Sequence, residues 1–263
     1  MAENSWSDFH RRWSRLKPPL RANCEVTAAI AGAIEDRRDC PLLLGVTPEL
    51  SDIGTLTVAL DWSEAMISHI WPGDTAARSA VLGNWLAMPF HRRRFSAAIG
   101  DGSLNAIDYS DYSALFAQLE SVLLPGARVA VRIYATPEPC EPIARVRQEA
   151  LAGNIAGFHA LKWRLATAIA AEMGNANVPV ALIHRIFDRE FSDRGALSRA
   201  TGWSFDDIDE IDAYADAKTV YSFPTRGEIV MALPRSFSNP RFLNSGSYEL
   251  AERCPVFVAD FAP

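Results

Sequence analysis

The sequence is poor in the residues that build metal centres and disulfide frameworks. Its 263 residues include four cysteines, Cys24, Cys40, Cys140 and Cys254. None stands in a CxxC or CxxH spacing, so neither a zinc site nor a disulfide framework has support. Long apolar runs are also missing: no stretch reaches the roughly 18 residues that a membrane helix needs. The opening MAENSWSDFHRRW lacks the apolar centre of a signal peptide. The expected compartment is therefore the cytoplasm, with no membrane partner. Excess positive charge is absent too. With 26 Lys and Arg against 32 Asp and Glu the net charge is −6, which argues against a nucleic-acid backbone as partner. Arg11–Arg12 and Arg92–Arg93–Arg94 read as solvated surface.

What is present is ordinary for a globular protein with a sizeable core: 49% hydrophobic and 22% charged residues. Length alone allows one large domain or two small ones. The informative stretch is LLLGVTPELSDIGTLTVALD, residues 42–61. An apolar run, Leu42 to Leu44, breaks at Gly45. A helix-sized gap follows, and a second run, Thr57 to Leu60, ends on Asp61. A strand, a Gly turn, a short helix and a strand ending in an acid outline a nucleoside-binding βαβ unit. The Gly admits the ligand to the backbone, and the acid accepts from ribose hydroxyls.

Trp6, Phe9, Trp13 and Leu16 recur at helical spacing ahead of Pro18–Pro19, which predicts a short amphipathic helix stopped by the prolines. It packs on the body or caps a cleft, with His10 or Arg11 turned inward. Residues 21–38 read as a helix. Ser63 is expected to cap another. Ala80 to Gly83 reads as a third buried strand and Phe95 to Ile99 as a fourth. Tyr112, Leu115, Phe116, Leu119, Val122 and Leu123 form the best helical stripe in the chain. It stops at Leu124–Pro125–Gly126, which feeds a strand over 128–134. Alternating helices and uniformly apolar strands predict a parallel sheet covered on both faces. The strand ends then share one edge, where ligands bind.

The order of these pieces resembles the class I S-adenosylmethionine-dependent methyltransferases. LLLGVTPEL is similar to the loop after strand 1, TVALDWSEAMI to strand 2 and its acid, and AVLGNWLAMPF to strand 3. FSAAIGDGSL is similar to strand 4, and LESVLLPGARVAVRIY to the turn into strand 5. The resemblance implies a doubly wound, mostly parallel seven-stranded α/β sheet and S-adenosylmethionine as cofactor. It implies that Gly45 meets the amino-acid end of the cofactor and that Asp61 holds the ribose. Trp62 and Met66 would pack on the adenine, and Asn84 and Trp85 would read and stack it. Asp101 and Gly102 would lie where methyl transfer occurs, with Asp101 the candidate catalytic carboxylate. The usual loop, acid-x-Gly-x-Gly-x-Gly, here reads Leu43, Gly45, Thr47, Glu49. Two glycines and the acid are gone, and Glu49 is the candidate displaced carboxylate. Asn84 replaces the usual Asp.

Residues 141–173 predict a long helical tract with Asn154 near its middle, and 178–216 further helices, with Ser204 and Asp207 marking a helix start. Strands are expected at Thr219–Phe223, Glu228–Leu233 and Pro255–Phe261. The chain then divides into an N-terminal helical cap (1–40), a cofactor-binding core (41–136), a helical insertion between strands 5 and 6 (137–216) and C-terminal strands completing the sheet (217–263). His159, Trp163, His184, Arg185 and Arg189 of the insertion could touch substrate, but each is more commonly a surface or capped residue. The acidic run Asp206 to Glu210 is expected to face solvent.

The leading functional expectation is methyl transfer to a small-molecule acceptor, in a monomer or a homodimer. A non-catalytic binding module that lost the methionine end of its site is the alternative. A third is another transferase using the same cofactor.

Overall fold

The computed structural model describes residue 13 and residues 16–262. The expected helix carrying Trp6, Phe9, His10 and Arg11 lies outside the described residues. The first helix described, α1 (Cys24–Ala33), is capped by the Asn23 side chain, which accepts from Val26 N. It precedes β1 (Pro41–Leu44), β2 (Thr57–Asp61), α2 (Glu64–His69), β3 (Arg78–Leu82) and β4 (Phe95–Asp101). Then come α3 (Tyr112–Val122) and β5 (Leu123–Arg132), followed by α4 (Ile143–Leu151) and α5 (Phe158–Met173). The remainder is β6 (Asn177–Pro179), α6 (Val180–Glu190), α7 (Arg194–Thr201), α8 (Phe205–Ile208), β7 (Val220–Ser222), α9 (Arg226–Met231), β8 (Phe237–Leu243) and β9 (Val256–Phe261).

Seven of these strands form one sheet in the order β3-β2-β1-β4-β5-β9-β8. β1 through β5 pair in parallel, and β9 runs antiparallel to both its neighbours. Alternation along the strands divides the core. Leu42, Leu44, Val58 and Leu60 face α3 through Leu115, Phe116 and Leu119. Leu43, Ala59, Ala97 and Ile99 face α1 and α2 through Val26, Ile30 and Met66. Period-two side chains buried on both faces produce the continuous apolar runs seen in the sequence.

Several local expectations are corrected. No α-helix joins β1 to β2; that gap holds a single 3₁₀ turn, Pro48–Leu50, because Pro48 opens it and Ser51, Asp52 and Gly54 follow. β3 is a half-exposed edge strand. The tract 141–173 is two helices, and Asn154 sits in the break between them, after Gly153 at φ +74°. Val220–Ser222 pairs with β6 in a separate ribbon, not with the main sheet. The strand expected at Glu228–Leu233 is helix α9, started by a reciprocal capping box between Thr225 and Glu228. The sixth strand of the sheet is instead β8. The helices from α4 through α8 and the β6/β7 ribbon share a core of their own around Phe158, Leu161, Leu165, Ile183 and Phe187, set over the C-terminal ends of the sheet strands.

Candidate functional site

Parallel strands deliver their C-terminal ends to one edge, and the insertion roofs that edge. The cleft between them encloses about 850 Å³ of non-atom space, its open mouth included. Gly45, Thr47, Asp61, Trp62, Met66 and Trp85 line one end. Asp101, Gly102, Ser103, Asn105, Tyr134 and Trp163 line the other.

At the first end, Gly45 takes φ +90°, and a Cβ there would stand 3.4 Å from the Trp85 ring and 3.7 Å from Asp61 Oδ2. Only glycine turns this corner without strain and leaves the backbone open to a ligand. Gly45 N donates to Leu60 O at 2.9 Å, closing the turn onto β2. Asp61 is 7% exposed. Its Oδ2 accepts from Val46 N at 2.9 Å and its Oδ1 from Ser63 N at 2.8 Å. Burial raises the Asp61 carboxyl above its ordinary range, and the backbone N–H groups of Ser63, Val46 and Trp62 partly offset this. Val46 N and Ser63 N take two of the carboxylate's roughly four acceptor sites, with Trp62 N–H close by, which leaves capacity for a further donor. The Ser63 hydroxyl caps α2 by accepting from Met66 N, which fixes Met66 beneath the cleft. Trp62, 41% exposed, stands at the mouth.

Two expected residues, Asn84 and Glu49, are placed differently. Asn84 is exposed and does not line the cleft; its Oδ1 accepts from Leu86 N in a local turn, because β3 ends at Leu82 on the sheet's edge. Trp85 does reach the cleft, with its indole N–H donated to Leu60 O at 2.6 Å. Glu49 does not line the cleft. Arg21 Nε donates to its Oε1 at 2.5 Å, and Arg21 also donates to Trp13 O at 3.1 Å, so the carboxylate ties down the segment before α1. Thr47 lines the cleft and is buried.

At the other end, Asp101 is not a free carboxylate. Sheet register sets it beside Arg132, whose Nε and Nη2 engage both its oxygens. The Arg132 side chain is wholly buried and that of Asp101 is 4% exposed. Burial works against the guanidinium charge, but Asp101 beside it keeps the group protonated. Arg132 also donates to Tyr248 Oη at 3.0 Å and to Tyr134 Oη at 3.2 Å. Tyr134 donates its phenol proton to Pro19 O at 3.0 Å, and burial pushes that phenol upward. Gly102 has φ +67°, and a Cβ there would meet the Tyr134 ring at 2.8 Å. Asn105 braces the same tyrosine, donating to Tyr134 O at 2.8 Å and accepting from Tyr134 N at 2.9 Å.

Sequence reasoning missed Arg132, Asn105 and Tyr134. Tyr134 follows the end of β5, and the same strand-end argument applied to a fifth strand would have found it. Of the insertion residues singled out, only Trp163 lines the cleft. His184 lies on the outer side of the insertion with Asp188 and Asp212, the one group among the described residues with cation-ligand spacing. Arg194 already bonds Asp188, Asp209 and Asp212 and holds the Asp212 carboxyl down to about 2. A guanidinium occupies the place a cation would take.

No protein-family model and no curated protein matches the sequence. Solved structures do match. The 1,6-didemethyltoxoflavin-N1-methyltransferase of Burkholderia thailandensis aligns with 98% of this chain and 87% of its own, at 13% identity and TM-score 0.52. This is the class I methyltransferase fold. A Rhodobacter sphaeroides protein provisionally named a Zn-dependent alcohol dehydrogenase aligns over 98% of both chains, at 9% identity and TM-score 0.56. An S-adenosylmethionine-dependent methyltransferase from Methanosarcina mazei covers 86% of this chain and 93% of its own, at 14% identity and TM-score 0.49. At 13% identity the Burkholderia match speaks to the fold and not to chemistry.

Proposed function

We propose that the protein is an S-adenosylmethionine-dependent methyltransferase acting on a small molecule. The observation that carries this reading is the buried Asp61 carboxylate at the end of β2, facing the cleft beside a Cβ-free turn. A buried charge with unused lone pairs costs the fold stability unless a donor arrives, and the paired hydroxyls of a ribose supply two. Gly45 would face the cofactor through its backbone, with Met66 and Trp62 flanking the adenine. Asn84 is left out of this site, and Thr47 replaces Glu49 as the polar side chain nearest the loop.

The cofactor supplies an electrophilic methyl group on sulfur. The chain's part is to hold an acceptor in line and exclude water, from which alignment alone can draw several kcal/mol, up to about 7–11 in well-oriented reactions. Asp101, held by Arg132, serves in this reading as the anchor of the transfer end and not as a base. Net charge −6 and a cleft whose only charged lining groups among the described residues are Asp61 and Asp101 favour a small uncharged or cationic acceptor over a polyanion.

Titration calorimetry with S-adenosylmethionine and S-adenosylhomocysteine tests the proposal. Micromolar binding is expected. Asp61→Ala should weaken it by about 1.5–3 kcal/mol, the worth of a charge-assisted hydrogen bond. No binding up to millimolar ligand refutes it. That outcome favours the non-catalytic module, a reading supported by Glu49, the loop's own carboxylate, being taken by Arg21.

A further inference from the structure

Trp163 has no counterpart in the account so far. It sits on α5 and its side chain is 6% exposed. Its indole Nε1–H is buried, and among the described residues no acceptor lies within hydrogen-bonding distance. Trp85, also in the cleft, spends its N–H on Leu60 O. An unmade hydrogen bond at a buried donor is costly and rare in native folds. Trp163 lines the cleft, so a small turn of its ring brings the N–H to a ligand there that supplies the missing acceptor.

The ring's surroundings set the shape of that ligand. The Tyr134 ring lies 4.9 Å from the Trp163 ring at 39°, and Phe223 lies 5.2 Å away at 64°. Tyr221 follows at 6.0 Å. Tyr134 in turn packs directly over Gly102 at the end of β4. One aromatic ring thus separates the Trp163 wall from the strand end where transfer is expected. Asp101, the nearest charged lining residue, is neutralised by Arg132, so the wall presents aromatic surface and one neutral donor.

We infer that Trp163 is a specificity-determining residue of the acceptor subsite, donating its indole N–H to a carbonyl oxygen or ring nitrogen of a planar aromatic acceptor that meets the Trp163 edge of the wall. This rests on the methyltransferase reading for the acceptor's role, but the binding geometry stands on the wall itself. Flat aromatic ligands suit such walls because edge-to-face contact between rings tolerates substituents, while the single donor fixes orientation.

The test uses the full chain labelled with ¹⁵N, whose seven tryptophans give resolvable indole N–H signals. Trp163→Phe, which keeps the ring and removes the donor, assigns the Trp163 signal by its disappearance. Quinoline and 4-quinolone are the probes, with naphthalene as the isostere lacking an acceptor. The expected result is a saturable downfield shift of the Trp163 indole proton with either heteroaromatic and none with naphthalene. Trp163→Phe should bind the heteroaromatics about tenfold more weakly, the worth of one buried hydrogen bond. It should bind S-adenosylhomocysteine unchanged. An unmoved Trp163 signal in the wild type overturns the assignment, and should the variant not fold, so does a wild-type spectrum in which no indole signal moves with either heteroaromatic. Equal probe affinity in the two proteins does so too. If the probes shift Trp163 while S-adenosylhomocysteine fails to bind the wild type, the aromatic subsite holds and the methyltransferase reading falls.

Discussion

Replacing Asp101 should unfold the protein far more readily than it should alter any proton transfer. Arg132 is buried completely and Asp101 almost so, the two meeting through two hydrogen bonds. Asp101→Asn keeps the shape and one acceptor but leaves the guanidinium with no counter-charge, its other partners being the phenols of Tyr134 and Tyr248. Breaking a buried pair from one side costs about 3–5 kcal/mol. For a chain of this size about 1 kcal/mol moves Tm by about 2–4 °C, so a fall of about 6–20 °C is expected in thermal melts. Arg132→Met should cost a similar amount, by orphaning the carboxylate. The double variant Asp101→Leu, Arg132→Met removes both charges and should recover most of the loss, giving a coupling energy of at least about 2 kcal/mol in a double-mutant cycle. An Asp101→Asn protein that melts within about 2 °C of wild type would refute the reasoning, since a free catalytic base can be neutralised without unfolding anything.

Two further predictions follow from the cleft geometry. The raised Asp61 carboxyl means the folded chain takes up a proton more readily than the unfolded one. Stability is therefore highest at low pH on this group's account and is lost as pH rises through the raised pKa, whereas S-adenosylhomocysteine affinity rises over the same interval. Denaturant melts and calorimetry across pH check both slopes, and Asp61→Asn should flatten both; parallel slopes would sink the assignment. Gly102→Ala forces a side chain into the left-handed region and against the Tyr134 ring, at a cost of about 1–3 kcal/mol. Urea denaturation that shows no loss would mean Tyr134 is not seated where it is described.

The sheet was legible because strands buried on both faces must be apolar throughout, as Leu42 to Leu44 and Thr57 to Leu60 are. Some features escaped because their cause lies in distant residues, others because a local signal was outweighed. Glu228 to Leu233 is a short apolar run that serves helix or strand equally, and the arbiter was local: Thr225 and Glu228 stand at capping-box spacing. β8 escaped because Asn239 and Pro240 interrupt it; it is an edge strand with a register shift, where Pro is tolerated. In the cleft, Asp61, Met66 and Gly45 could be read from position at strand ends. The Asp101–Arg132 pair could not, because it depends on the register of β4 against β5. Asn84 reads as the end of a buried strand, but β3 lies half-exposed at the margin, where its end turns to solvent. Trp163 was one of several insertion residues with equal claims, and packing alone separated it from His159 and His184.

The position of β9 has a consequence for how the chain comes to be folded. Although it is the last strand described, it lies inside the sheet, hydrogen-bonded to β5 on one side and to β8 on the other. A ribosome making this protein releases β1 through β5 in an order that lets each parallel neighbour dock as it appears. Strand β8 has nowhere to go until residues 256–261 emerge, and β5 keeps an open, apolar edge for the same interval. Such an edge invites pairing with other chains. The step that closes the sheet thus waits for residues 256–261 to leave the ribosome, and the nascent chain must be kept apart from its neighbours until then.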